Sequence, residues 1–383
     1  MPVQLCNYTD IYYNETIHTD LTFMSATATP EQIKAFTLRA GDTVITKDSE
    51  TADDIGIASH VIDMPQDLVC GYHLAILRPG PRVDPRFLTW AMRSGPVRRH
   101  LAANATGMTR MGLTYDAINR SPIPLLDLVE QQRIADFLDD QVSRIDRVMG
   151  ARRMEVRLVR ESRRAELETL LGSAGEGRPL AALTDPARPI QYGIVLPGPD
   201  FPGGVPIIKG GDIGARRLHP EFLRRTDPEI DRAYSRSRVR EGDVVIAIRG
   251  SVGEVAAVPD TLTGANLTQD SARIAPRGVD SGWLLHVLQT PTVQARVARM
   301  IVGATVRGVN IADLRRVVVP TPGIDDQTRL AKLAQSIDTK TLSVTASLEN
   351  SVNLLEEYKQ SLVTAAVTGE IDVTTASGRS IPA

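Results

Sequence analysis

The sequence predicts an α+β protein. Two tandem, pseudo-symmetric globular parts are separated by long helices that pair as an antiparallel coiled coil. Three observations predict this. The phrase SPIPLLDLVEQQRIADFLDDQVSRID, Ser121 to Asp146, returns as VVVPTPGIDDQTRLAKLAQSID, Val317 to Asp338. Short apolar runs bounded by Gly, Pro and Asp alternate with helix-like stretches. Two proline-free segments carry apolar residues at a sustained 4-3 spacing.

The repeat spans most of the chain. At a constant offset of 196, Pro124 falls on Pro320, Gln131 on Gln327 and Arg133 on Arg329. TGMTRMGLTYDAINR (Thr106–Arg120) meets VGATVRGVNIADLRR (Val302–Arg316), and RAGDTVITKDSE meets REGDVVIAIRGS at an offset of 201. A period this long marks a duplicated domain rather than a solenoid. Within each half DTVIT, HLAIL, DVVIAI and RRVVVP read as strands, and PRFLTWAMRSGPVRRHLAANA reads as one helix.

The first apolar seam comprises Leu138, Val142, Ile145, Met149, Val156, Val159 and Leu170, interrupted by Arg152, Arg163 and Glu166. The second comprises Ile337, Val344, Leu348, Leu355, Tyr358 and Leu362, interrupted by Thr341 and Ser351. Each ends at a glycine, Gly172 and Gly369, a natural helix stop. The spacing gives helices of roughly 28 residues. They pair with each other, or else each packs on its own domain.

At 383 residues the chain holds two or more domains, and 42% hydrophobic residues suffice for their cores. Aromatics are only 4%, so aliphatic packing dominates. No apolar run reaches the roughly 18–20 residues that span a bilayer, and MPVQLCNYTD lacks the pattern of a signal peptide. Cys6 and Cys70 allow one disulfide, but two buried thiols in a reducing cytoplasm is the better reading. The net charge of −2 argues mildly against nucleic acid. Distribution decides the local field, however. Nine arginines fall between Arg216 and Arg249, where they line a binding face or pair with Glu229, Asp231 and Glu241 on a solvated one.

Catalytic signatures are missing. There is no P-loop, HExxH, GxSxG or Asn/Asp-Pro-Pro-aromatic motif. Asp53-Asp54 and Asp139-Asp140 read as exposed acids, and no His/Cys spacing suits a metal.

Taken together the residues resemble the specificity subunits of type I restriction–modification systems, over essentially the whole chain. The resemblance rests on NYTDIYYNE, GDTVITKDSETADDIGI, CGYHLAILRP, ATGMTRMGL and IPLLDLVEQQRIADFLDDQVSRID in the first half. In the second it rests on YGIVLPG, GDVVIAIRGSVGEVAAVP, VVVPTPGIDDQTRLA and above all LLEEYKQSLVTAAVTGEIDV. It implies a target recognition domain over 1–127, a central helical spacer over 128–177, a second recognition domain over 178–323, and a C-terminal spacer and tail over 324–383. The domains would read the two parts of a bipartite site on double-stranded DNA. The paired helices would set the gap and dock two methyltransferase subunits, and through them the restriction subunits. S-adenosylmethionine, ATP and Mg2+ would serve those partners. This cytoplasmic phage-defence chain would hold no cofactor, no metal and no catalytic residue, and would touch no membrane.

On that reading Lys47, Ser49, Tyr72, His73, Thr106, Gly107, Thr109 and Arg110 are the DNA-contact candidates of the first domain. Arg249, Ser251, Thr305 and Arg307 are those of the second. Each is also a plausible turn cap or core residue. Arg178–Gly204 has no counterpart upstream, so the first domain is expected to lack its opening segment. The tail TTASGRSIPA is expected to lack fixed structure. Three other classes compete: a self-contained methyltransferase or nuclease, a protein-only coiled-coil adaptor, and a specificity-like subunit of a related phage-defence complex.

Overall fold

The computed structural model describes residues 1–214, 218–303 and 307–376. Arg216, Arg217, Thr305 and most of the tail lie outside the described residues. The chain divides into two compact units, Met1–Arg153 with Glu349–Ala383, and Met154–Leu348.

Unit 1 runs β1 (Pro2–Cys6), α1 (Tyr8–Tyr13), β2 (Thr16–Ile17), β3 (Met24–Thr27), α2 (Pro30–Phe36), β4 (Thr43–Thr46), β5 (Asp48–Ser49), β6 (Ala58–Val61), β7 (Leu68–Cys70) and β8 (Leu74–Leu77). It continues through α3 (Pro85–Arg93), α4 (Gly95–Asn104), β9 (Met111–Gly112) and α5 (Tyr115–Asn119) into the long α6 (Leu128–Leu171). One sheet has the order β2-β6-β4-β8, a second β3-β1-β7, and β5 pairs with β9. β4 is buried along its whole length, which is why it reads as an unbroken apolar and threonine run.

Unit 2 follows with β10 (Glu176–Pro179), β11 (Gln191–Tyr192), β12 (Val205–Ile208), β13 (Arg225–Thr226), α7 (Pro228–Ala233), β14 (Val244–Ala247), β15 (Val255–Ala257), β16 (Asn266–Leu267) and β17 (Ser271–Ile274). Then come α8 (Ser281–Leu288), α9 (Pro291–Ala298), β18 (Ile301–Val302), β19 (Gly308–Val309), α10 (Ile311–Leu314), β20 (Val318–Thr321), the long α11 (Ile324–Thr368) and α12 (Val373–Ala376). Its sheets are β11-β17-β14-β15, β13-β12-β16, β10-β20 and β18-β19.

The repeat survives as register. Thr43 faces Leu77 across β4 and β8, and Val244 faces Ile274 across β14 and β17. Cys6 faces Cys70 across parallel β1 and β7, and Ile208 faces Leu267 across β12 and β16. Phe87 and Trp283, one repeat apart, are the buried anchors of α3 and α8. Gln131 and Gln327 do the same work in the two units. Each is buried at the start of a long helix, and its Oε1 accepts the backbone N–H of Asp84 (2.8 Å) or Asp280 (2.9 Å). Those aspartates cap α3 and α8.

In each unit two long-helix segments run antiparallel. In unit 1, Ile134, Leu138, Val142, Ile145 and Met149 share a core with Leu362, Val363, Ala366 and Val367, and with Phe87 and Trp90 of α3. In unit 2, Leu167 and Leu171 share one with Leu330, Ala334 and Ile337, and with Trp283. The segments therefore pair with one another and also pack on the globular body.

Several expectations need correction. The stretch from Pro85 to Ala105 is two helices, broken at Ser94, because Gly95-Pro96 starts a new helix. The long helices have 44 and 45 residues rather than some 28, and each contributes to both units. Val344 and Tyr358 are exposed, while their neighbours Thr345 and Lys359 are buried. Leu362, further along the same seam, is buried as expected. Val159 and Leu170 are half-buried, and Leu167 and Leu171 take the buried places instead. Asp139 and Asp54 are partners rather than idle acids, accepting from Trp90 Nε1 (2.8 Å) and the Tyr12 hydroxyl (2.7 Å).

Candidate nucleic-acid interface

Three loops of unit 1 are stitched together where β4 ends. The Lys47 N–H donates to His73 O (2.9 Å), and the Leu113 N–H donates to Lys47 O (2.8 Å). Just beyond, β5 and β9 pair Asp48 with Gly112 and Ser49 with Met111. The side chains on this frame converge on Asp48. His73 Nδ1 lies 2.6 Å from Asp48 Oδ2, and Arg110 Nη2 lies 2.7 Å from Oδ1 as an ion pair. Lys47 Nζ sits 5.1 Å from the ring centroid of Tyr72, whose own side chain is largely exposed. Lys47, Tyr72, His73 and Arg110, drawn from separate stretches of the chain, thus share one surface, whereas Ser49, the fifth candidate, is buried beneath it and hydrogen-bonds Tyr8.

Thr106, Gly107 and Thr109 lie in the adjoining turn. Thr106 closes it by exchanging two backbone hydrogen bonds with Gly112 (3.0 and 2.8 Å). Gly107 has φ +144°, and a Cβ there would meet Arg110 O at 2.0 Å, so only glycine fits. Beside the cluster stands an aromatic ladder from α1. Tyr8 stacks on Tyr12 (5.5 Å) and Tyr12 meets Tyr13 edge-on (5.0 Å). Burial raises the Tyr8 pKa, opposed by a hydrogen bond to Ser49. The hydrogen bond to Asp54 holds Tyr12 up at about 12, a neutral donor at any physiological pH.

Unit 2 repeats the frame. The Ile248 N–H donates to Asp270 O (2.8 Å), and the Val309 N–H donates to Ile248 O (2.9 Å). Arg249 bridges Gly308, and Arg249, Ser251 and Arg307 are exposed there. A Cβ on Gly308 would press on Ile248 O (3.0 Å) and Arg249 Cγ (3.1 Å). Thr305 falls outside the described residues.

Sequence reading missed Asp48, around which the first cluster is arranged, and Asp270 in the second. Both sit among residues far away in sequence. The ladder did leave a sign: the i, i+4 spacing of Tyr8 and Tyr12 in NYTDIYYNE.

The helical segments carry a second constellation. In unit 2 Arg163 forms a bidentate pair with Asp338 (2.7 and 3.0 Å), donates to Gln289, and lies near the buried His286, itself 3.3 Å from Asp338. One repeat away, Lys359 pairs with Glu15 and, at 2.8 Å, with Asp146. Burial opposes ionisation of Glu15, yet Arg93 and Lys359 outweigh it and hold the carboxyl below its ordinary range. Burial likewise opposes the charge on Lys359, but Glu15 and Asp146 raise its pKa. Asp338 is held low by His286 and Arg163 against its own burial.

Among the described residues no helix is long and apolar enough to cross a membrane. No family model matches the chain. It is 25% identical over 296 residues to the type I restriction enzyme EcoBI specificity subunit of Escherichia coli. That match covers 70% of this chain and 62% of the relative's own length. It is 21% identical over 374 residues to the putative type I restriction enzyme MjaX specificity subunit of Methanocaldococcus jannaschii, covering 90% and 82%. The fold matches a chain from a structure concerned with assembly and conformational transition of a type I restriction–modification system. There the TM-score is 0.73 at 20% identity, with 97% of this chain and 92% of that one covered. In sequence the chain is similar to proteins named as type I restriction enzyme specificity subunits, and its fold matches a chain from a type I restriction–modification structure.

Proposed function

We propose that this chain is the non-catalytic DNA-recognition subunit of a type I restriction–modification complex. It reads a bipartite site on double-stranded DNA, one part with each unit's loop cluster. It docks methyltransferase subunits, and through them restriction subunits, by its long helices. S-adenosylmethionine, ATP and Mg2+ serve the partners, and the complex works in the cytoplasm. The observation that carries the reading is the duplicated backbone frame, Lys47–His73–Leu113 and Ile248–Asp270–Val309, bearing different side chains in each copy. Base readout needs side chains held at groove edges by a rigid scaffold, with phosphate contacts setting register. Relatives named as specificity subunits support it. The two buried thiols, with Cys6 raised and Cys70 held up at about 12 by burial, are no nucleophiles.

The test is methylation-resolved sequencing of DNA from cells expressing this chain with its neighbouring methyltransferase gene. A bipartite motif carrying N6-methyladenine in both parts is the expected result. Loss of the motif when this chain is omitted ties it to the chain. A methyltransferase that modifies the same motif alone, or no motif at all, overturns the reading and returns weight to a protein-only adaptor.

A further inference from the structure

The turn that closes β9 presents an apolar side chain where the cluster otherwise presents donors. Met108 is fully exposed at its tip, while Thr106 and Gly112 close the base with two backbone hydrogen bonds. The turn is stiff for three reasons. Gly107 holds a conformation open only to glycine, Arg110 is tied to Asp48, and β9 is paired with β5. A methionine on a mobile loop would pay ordering entropy on binding, whereas this one is already aimed. Its neighbours are the hydroxyls of Thr106 and Thr109 and the guanidinium of Arg110, with Lys47 and Tyr72 on the same frame. Ammonium and hydroxyl donors suit a phosphate backbone, and an unbranched thioether suits the space between two bases.

We propose that Met108 is a wedge that enters a base step of the half-site read by unit 1, partly unstacking it and kinking the duplex. This deepens the DNA-recognition reading and rests on it. Specificity then arises partly from how cheaply that step unstacks, pyrimidine–purine steps being the softest. The device is one-sided. The repeat places Ala304 at the position of Met108, and a methyl group is too short to intercalate.

The test uses the full chain purified with its methyltransferase partner, on duplexes carrying the motif recovered by sequencing. 2-Aminopurine replaces each adenine in turn except the methylated ones, which a methyltransferase extrudes itself. Wild type is expected to brighten at one step in one half-site only. Met108→Ala is expected to abolish that signal and lower affinity about tenfold. Met108→Leu retains both effects, and Met108→Gln, of similar length but polar, loses them. If the wild-type complex shows no preference for the motif duplex, the DNA-recognition reading fails and the wedge fails with it. If the preference is intact but no step brightens, or the alanine variant brightens equally, the wedge alone is overturned.

Discussion

In unit 1 the residue after Lys47 is Asp48, and the loop packed against it brings His73. In unit 2 the residue after Ile248 is Arg249, and the same loop brings Asp270. The backbone bonds coincide, and the charge at the first position is reversed. The same contrast holds beneath the face. Asp42 and Asp243 are equivalent, both nearly fully buried, and both accept a backbone N–H three residues upstream, from Arg39 or Arg240. Asp42 is neutralised by Arg78 at the end of β8, in a bidentate pair of 2.7 and 2.6 Å. Asp243 is neutralised by Arg188 from the segment before β11, at 2.9 and 2.6 Å. Unit 2 adds β11 beside β17, whereas unit 1 adds β2 on the opposite edge, beside β6. A duplicated frame keeps its main-chain bonds and its buried carboxylate, and takes the neutralising cation from whatever segment lies near.

The largest expected break of this equivalence is in the cores. Phe87→Ala and Trp283→Ala each remove a buried ring, and each is expected to cost about 3–5 kcal/mol. Amide exchange resolved by segment should show each loss concentrated in its own unit. Uniform loss across both would mean the units unfold as one. Next come the neutralising cations. Arg188→Met should cost about 3 kcal/mol and the more exposed Arg78→Met about 2, because each strands a buried carboxylate. Equal, negligible effects in denaturant melts would show that water serves as well. On the face, Arg249→Ala should weaken binding of the motif duplex by about 1–3 kcal/mol if the side chain reads a base, with relaxed specificity in one half-site. Lys47→Ala should act evenly across sequences and lower the salt slope by about one.

The smallest effects concern the helical segments. Arg163→Met and Lys359→Met are each expected to cost about 1–2 kcal/mol, since the partners are partly exposed. Their pH dependence sharpens the contrast. The depressed Glu15 carboxyl gives stability present above its ordinary value of 4.5 and lost as pH falls through the lower folded value. The raised Lys359 ammonium gives stability present below its ordinary 10.5 and lost as pH rises through the higher folded value. Lys359→Met should therefore flatten both limbs of the stability profile of unit 1 and leave unit 2 unchanged.

The strands DTVIT and DVVIAI, the duplicated register and both long helices were legible because they rest on local periodicity and on comparison of the chain with itself. The unmatched stretch Arg178–Gly204 was legible too, and it carries β11 and Arg188. What escaped was non-local. Nothing near Asp48 announces that His73 and Arg110 meet it, and nothing near Lys359 names Glu15. The break at Ser94 was visible in Gly95-Pro96 but lost inside an apolar helical pattern. Seam position failed at Val344 and Tyr358, where the buried place falls one residue on, at Thr345 and Lys359, yet Leu362 at the end of the same seam is buried.

The pairing of Cys6 with Cys70 across β1 and β7 has a practical outcome for spectroscopy. Both thiols are buried and free, and burial keeps them protonated at neutral pH, so maleimides and other electrophiles that need a thiolate will find neither. Sequence-wide they are the only two. A cysteine introduced on an exposed loop of either unit would thus be the sole fast-reacting sulfur. Fluorophore pairs for distance measurements on DNA could then be attached without first stripping the native thiols.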